Sequence, residues 1–139
     1  MAVQLAELLG AELGEVEVAR FPDSETYVRV LANVEEKRVV YVNSLQRGPN
    51  ETLVETLLTL DALKDLGARE VHAVIPYMAY ARQDERFKPG EAVSVTTVAK
   101  LFKALSLNSI YTVDMHLHRI RDPSALFGAS FRNLTGVRE

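Results

Sequence analysis

The sequence predicts an α/β fold, an open parallel sheet with flanking helices and a β-hairpin near its start. Two features carry this expectation. Short runs rich in β-branched residues alternate with longer segments of helical period, and the succession strand, helix, strand, helix, strand implies parallel pairing through crossovers. Three of the strand-like runs also stop abruptly in polar residues. In open parallel sheets ligands collect there, beyond the carboxyl ends of the strands.

Taken in order, Val3, Leu5, Leu8 and Leu9 fall at roughly helical spacing and stop at Gly10, so the chain opens inside an amphipathic helix. Val16 and Val18 alternate with Glu15 and Glu17, and Tyr27, Val28, Val30 and Leu31 follow a turn-rich stretch at 21–26. This pattern predicts a strand pair or hairpin. A β-branched run over 38–42 is the next strand, closed by Asn43 and Ser44. From 50 to 66 the residues Leu53, Val54, Leu57, Leu58, Leu60, Leu63 and Leu66 form one helical face, and Gly67 stands where the helix ends. Residues 70–75 are a strand, because Val71, Val74 and Ile75 favour extended backbone and Pro76 removes an amide donor. A long loop through Gly90 leads to a helix over 94–105, with Val95, Val98, Ala99, Phe102 and Leu105 on its buried side. A strand over 109–113 follows, and residues 128–139 read as a chain still in transit.

The chain has 139 residues, 47% apolar and 25% charged, which is one domain's worth with enough apolar material for a sizeable core. Residues 1–139 are expected to form a single α/β domain. The formal charge of -3 comes from 16 basic and 19 acidic residues in interspersed order, so no cationic field exists to hold a polynucleotide or an anionic membrane. There is no cysteine, which excludes disulfides, thiolate metal sites and a cysteine nucleophile and is compatible with a reducing compartment. No apolar run reaches membrane-spanning length and the start lacks a signal-peptide pattern, so a cytoplasmic location is expected.

Three polar clusters follow the strand ends: Asn43 with Ser44, residues 77–84, and residues 114–118. The second offers aromatic faces at Tyr77 and Tyr80, a guanidinium at Arg82, an amide at Gln83 and carboxylates at Asp84 and Glu85, a mixture that suits a purine and its phosphates. A solvated loop with an ion pair or two has the same composition. Neither a Gly-x-x-x-x-Gly-Lys-Ser/Thr loop nor a Gly-x-Gly-x-x-Gly fingerprint is present, which leaves a divalent metal, arginine donors and base stacking as the means of holding a nucleotide. In an extended backbone Asp114, His116 and His118 share a side. Two imidazoles and a carboxylate can bind zinc, and two histidines hydrogen-bonded at a strand end look the same in sequence. The stretch Phe21-Pro-Asp-Ser-Glu25 reads by itself as an ordinary hairpin turn, its Pro22 fixing a dihedral and its Asp23 and Ser24 accepting local backbone bonds.

Three of these stretches resemble those of the ribose-phosphate diphosphokinases, also called phosphoribosyl pyrophosphate synthases. Ile75-Pro-Tyr-Met-Ala-Tyr-Ala-Arg-Gln-Asp84 is similar to the segment that marks the family, Val113-Asp-Met-His116 to its Val-Asp-Leu-His segment, and Phe21-Pro-Asp-Ser-Glu25 to its Phe-x-Asp-x-Glu turn. The resemblance runs from the Leu-Leu-Gly10 helix end to Asn133-Leu134. It implies a Rossmann-like, phosphoribosyltransferase-type domain and transfer of the β,γ-diphosphoryl group of ATP to the 1-hydroxyl of ribose 5-phosphate, giving phosphoribosyl pyrophosphate and AMP. By the same resemblance Phe21, Asp23 and Glu25 reach the adenine of ATP in a neighbouring subunit of a homo-oligomer, Arg82 and Gln83 contact ATP, and His116 contacts magnesium and nucleotide. Ser24 stands where the family usually has glycine, a departure that strains a positive-φ backbone.

The family's second domain, with its Asp-Asp and Thr-Gly-Gly-Thr ribose-phosphate loop and its mobile catalytic lysine and arginine, has no counterpart in these 139 residues. No catalytic residue is therefore assigned. The resemblance implies a chain that supplies the ATP-binding half and takes ribose 5-phosphate through another domain or partner. The alternative is a noncatalytic assembly or regulatory module of a synthase complex.

Overall fold

The computed structural model describes residues 1–115, 120 and 122–136. Helix α1 spans Ala2–Leu9 and stops where expected, at Gly10, which takes the left-handed conformation (φ 60°) that closes helices. The hairpin follows as β1, Val16–Arg20, and β2, Thr26–Val30, antiparallel with Val16 opposite Val30 and Arg20 opposite Thr26. Its turn puts Ser24 at φ 76°, the positive-φ position anticipated from the motif.

Strand β3 (Arg38–Val42), helix α2 (Pro49–Asp65), strand β4 (Glu70–Val74), helix α3 (Ser94–Ala104) and strand β5 (Ser109–Val113) agree with the sequence reading to within a residue or two at each end. The carboxyl-terminal stretch does not. Helix α4, Pro123–Phe127, precedes it, and the stretch read as a chain in transit from 128 carries strand β6, Ser130–Leu134. Asp122 caps α4 by accepting the N–H groups of Ser124 and Ala125, and Gly128 ends it at φ 68°, where a Cβ would meet Lys103 Cγ at 2.5 Å. Strand β6 then pairs along the whole of β5, from Ser109 opposite Ser130 to Val113 opposite Leu134.

The four later strands form one parallel sheet in the order β3-β4-β5-β6. Each crossover steps one strand in the same direction, so right-handed connections put α2, α3 and α4 on one face. On that face Val71, Ala73, Ile110 and Phe131 are buried, and Phe127 packs at 4.8 Å from Phe131 and 6.0 Å from Phe102. The register places Val40, Val113 and Leu134 on the opposite face, where they are 42%, 37% and 51% exposed. Parallel sheets are ordinarily covered on both faces.

The buried face of α2 differs from the one drawn through its leucines. Leu53, Leu60 and Leu63 are buried, but Val54, Leu58 and Leu66 are exposed, and Thr56 and Thr59 are buried completely in their place. Thr59 Oγ1 donates to the Glu55 carbonyl at 2.7 Å, so its hydroxyl enters the core satisfied. Among the described residues no helix is long and apolar enough to cross a membrane.

Candidate functional site

Parallel pairing aligns the carboxyl ends of β3, β4 and β5, because Val42 lies opposite Val74 and Val74 opposite Tyr111. The three polar clusters therefore begin side by side, as expected. They serve different ends.

The first is structural. Asn43 donates its backbone N–H to the Val74 carbonyl, and its Nδ2 reaches Tyr41 Oη at 3.0 Å, Thr56 Oγ1 at 3.1 Å and Glu55 Oε1 at 3.4 Å. This side chain is turned back onto α2. Burial pushes the Tyr41 hydroxyl above its ordinary pKa, against the opposing pull of its bonds to Thr56 and Asn43.

The second cluster is a loop tied down at three points. Its root is apolar, with Ile75, Met78, Ala79 and Ala81 all buried. The Leu45 amide donates to the Tyr77 carbonyl at 3.1 Å, joining the loop to the one after β3. Tyr80 adopts φ 64°, a left-handed conformation that costs a side-chain-bearing residue roughly 1–2 kcal/mol, and its hydroxyl donates to Oδ1 of Asn50 in the first turn of α2. Gln83 is fixed to the start of α3, its Oε1 accepting from Ser94 Oγ at 3.3 Å and its carbonyl from the Val95 amide at 3.5 Å. Between the last two ties stands Arg82, exposed to solvent. Beyond them Arg86 donates through Nε to the Glu91 carbonyl at 2.8 Å, and the Glu91 carboxylate accepts the amides of Phe87 and Lys88.

The third cluster corrects the extended backbone assumed for it. The strand ends at Val113, and Asp114 turns to φ 45°, so the backbone is not extended at Asp114 itself. Its amide donates to the Leu134 carbonyl at 2.8 Å and its Oδ2 accepts the Gly136 amide at 3.0 Å. Met115 is buried and held by Asn133. His116, and with it the expected magnesium contact, lies outside the described residues, as does His118. Among the described residues no three His, Cys, Asp or Glu side chains converge as a metal-binding group.

The hairpin turn presents its three candidate residues outward. Phe21 is 49% exposed and meets Tyr27 edge-on at 5.7 Å, and Glu25 is exposed. Asp23 is partly engaged, because its Oδ1 accepts the Glu25 amide at 3.1 Å. Arg20 closes the turn from below by donating to the Ser24 carbonyl at 3.0 Å. Between this turn and α2 lies a hollow of about 500 Å³ bordered by Ser24, Glu25, Asn50 and Leu58. A larger cavity of about 630 Å³ lies between α1, the hairpin and the outer edge of β3, lined by Leu5, Leu9, Val16, Val30 and Val39 among others. Asn43 is among its lining residues, whereas Phe21, Asp23, Glu25, Arg82 and Gln83 are not.

Asn50 and Ser94 are the site-forming residues that the sequence reading passed over. Neither carries a signal of its own, since each acts through a partner distant in sequence.

Residues 1–105 match the family model for the N-terminal domain of ribose phosphate pyrophosphokinase. A ribose-phosphate pyrophosphokinase of Methanopyrus kandleri is 49% identical over 113 residues, 81% of this chain and 38% of that protein. Ribose-phosphate pyrophosphokinase 1 of Archaeoglobus fulgidus is 39% identical over the whole of this chain, which covers 47% of it. The crystal structure of phosphoribosylpyrophosphate synthetase from Mycobacterium smegmatis superposes with a TM-score of 0.84 at 27% identity, covering 96% of this chain and 44% of that one. The chain thus spans less than half the length of these relatives.

Proposed function

Because the chain belongs to the ribose-phosphate pyrophosphokinase family through its N-terminal domain, we propose that it forms the nucleotide-binding half of an enzyme that transfers diphosphate from ATP to ribose 5-phosphate. The observation that carries this reading is the loop of residues 77–84, tied at three points, in which Arg82 and Gln83 follow the carboxyl end of β4. Ties on the loop backbone lower the loop's share of the ordering cost on binding and leave that of the exposed Arg82 side chain. With Gln83 Oε1 engaged by Ser94, its NH2 group is the end that can donate to a ligand.

Phe21 offers a flat, exposed ring and Glu25 a carboxylate, the pair needed to stack on a purine and accept from an exocyclic amine. In the proposed assembly they serve the nucleotide of a neighbouring subunit. His116 is the proposed contact to magnesium and nucleotide. Magnesium keeps most of its waters and binds through phosphate oxygens plus one or two protein ligands, so it does not require a converged protein cage. When bound it neutralises charge on the transferring phosphates. Asp114, whose carboxylate accepts the Gly136 amide just beyond the end of β5, lies two residues before that position in sequence. Ribose 5-phosphate is proposed to bind through a further domain or a partner chain.

A noncatalytic assembly module is the second reading, favoured by the bare sheet face bearing Val40, Val113 and Leu134. The two are separated by equilibrium binding of radiolabelled ATP to the wild-type chain and to Arg82→Ala in magnesium. The proposed function expects saturable binding that is lost or severely weakened in Arg82→Ala. Equal retention by both proteins, or none by a folded wild type, would exclude the nucleotide-binding assignment of the loop.

A further inference from the structure

Ala79 and Ala81 are buried, and Tyr80 between them is partly buried against the same core. Within this loop, which carries no strand or helix, the backbone of Tyr80 lies in the left-handed region. The bend aims the chain at Arg82 and Gln83, two and three residues later. The hydroxyl of Tyr80 then spans to Asn50, thirty positions earlier in the chain. Asn50 is itself set by a tight entry into α2, with Gly48 at φ 56° and Pro49 opening the helix.

We propose that Asn50 is a positioning residue for the nucleotide-binding loop, fixing the direction of Arg82 and Gln83 through Tyr80; this rests on the function proposed above. Asn50 is exposed and lies outside the core, and the Tyr80 ring packs against the core whether or not its hydroxyl is bonded. Their bond instead selects one orientation of a loop whose apolar roots would remain packed without it. Asn50 also borders the hollow shared with Ser24 and Glu25. One side chain thus links the loop that faces this chain's nucleotide to the turn proposed to face the neighbour's.

The test compares the purified wild-type chain with Asn50→Ala, Asn50→Asp, Tyr80→Phe and the Asn50→Ala/Tyr80→Phe double variant, first without ligand and then with magnesium-ATP. Amide hydrogen exchange at Leu45 and Val95, whose N–H groups donate to the loop carbonyls of Tyr77 and Gln83, should speed up about three- to tenfold in Asn50→Ala and in Tyr80→Phe, as expected for loss of one hydrogen bond. The double variant should be no worse than either single one. Asn50→Asp, which keeps an acceptor oxygen, should behave as wild type. Affinity for magnesium-ATP should fall by a similar factor in the same three variants and recover in Asn50→Asp, with far-ultraviolet dichroism unchanged throughout. Exchange at Leu45 and Val95 that is unaltered in Asn50→Ala, or effects of the two substitutions that multiply, would overturn the proposal. If the wild type itself does not bind magnesium-ATP, the functional reading falls, and the exchange measurement alone decides whether Asn50 positions the loop.

Discussion

Asn133 holds Met115 by both of its backbone polar groups, accepting the Met115 amide at 2.9 Å through Oδ1 and donating Nδ2 to the Met115 carbonyl at 3.3 Å. The side chain of one strand thereby mimics a strand partner for the residue that follows the turn at Asp114. Met115 immediately precedes His116. Replacing Asn133 by Ala should cost about 1 kcal/mol for each of the two bonds, and it should weaken magnesium-dependent nucleotide binding by more than that loss of stability accounts for. Denaturant unfolding and ATP titration on the same variant check this. A nucleotide affinity equal to wild type in a destabilised Asn133→Ala would show that the clamp serves stability alone.

The turn at Phe21 is expected to act across an interface. Phe21→Ala should leave the hairpin paired, since the Phe21 amide to Glu25 carbonyl bond belongs to the backbone, and should weaken adenine recognition in the assembled protein only. Sedimentation at several concentrations, paired with ATP binding, makes the comparison. The same loss in a monomer would contradict recognition in trans.

Stability should follow the observed face of α2. Leu60→Ala removes a fully buried side chain and should cost about 2–5 kcal/mol. Leu58, 44% exposed, should cost less than about 1 kcal/mol when replaced by Ala. Urea unfolding of the two variants distinguishes the observed face from the broader one drawn through all seven apolar residues.

Tyr41 should make the fold sensitive to alkali. Its folded pKa is raised by burial, so the folded state holds the phenolic proton more tightly than the unfolded chain does. The sign follows from proton linkage: this contribution is intact below the unfolded value of about 10 and is lost as pH rises from there through the folded value. Tyr41→Phe should be less stable at neutral pH, having lost the bonds to Asn43 and Thr56, and its stability should decline less steeply above about pH 10. Parallel slopes for the two proteins across that range would remove Tyr41 as the titrating group.

The core elements were legible because their patterns are local. The β-branched run of β3, the Val95, Val98, Ala99 and Phe102 spacing of α3 and the Gly10 stop of α1 each encode their element within a few residues. Even the strained Ser24 could be anticipated, since the motif around it marks a place usually held by glycine. Strand β6 was not legible because only Phe131 of its five residues is buried, and its other positions depend on β5 lying alongside. The face of α2 was misdrawn because hydrophobic periodicity counts leucines, whereas Thr56 and Thr59 enter the core on hydrogen bonds that sequence does not display. The site divides in the same way. Arg82 and Gln83 stand out as residues, but the ties that hold their loop, Asn50 to Tyr80 and Ser94 to Gln83, join segments that meet only after the sheet has formed.

The proposed function requires this chain to hold magnesium and ATP together. Calorimetric titration of ATP into the purified wild-type chain, with and without magnesium and beside His116→Ala, decides this when molecular mass is measured in the same buffer. Magnesium-dependent binding by an oligomer is expected, weakened in His116→Ala with helix content unchanged. A folded assembly that takes up no nucleotide at millimolar concentration, or binding indifferent to both magnesium and His116, would contradict it.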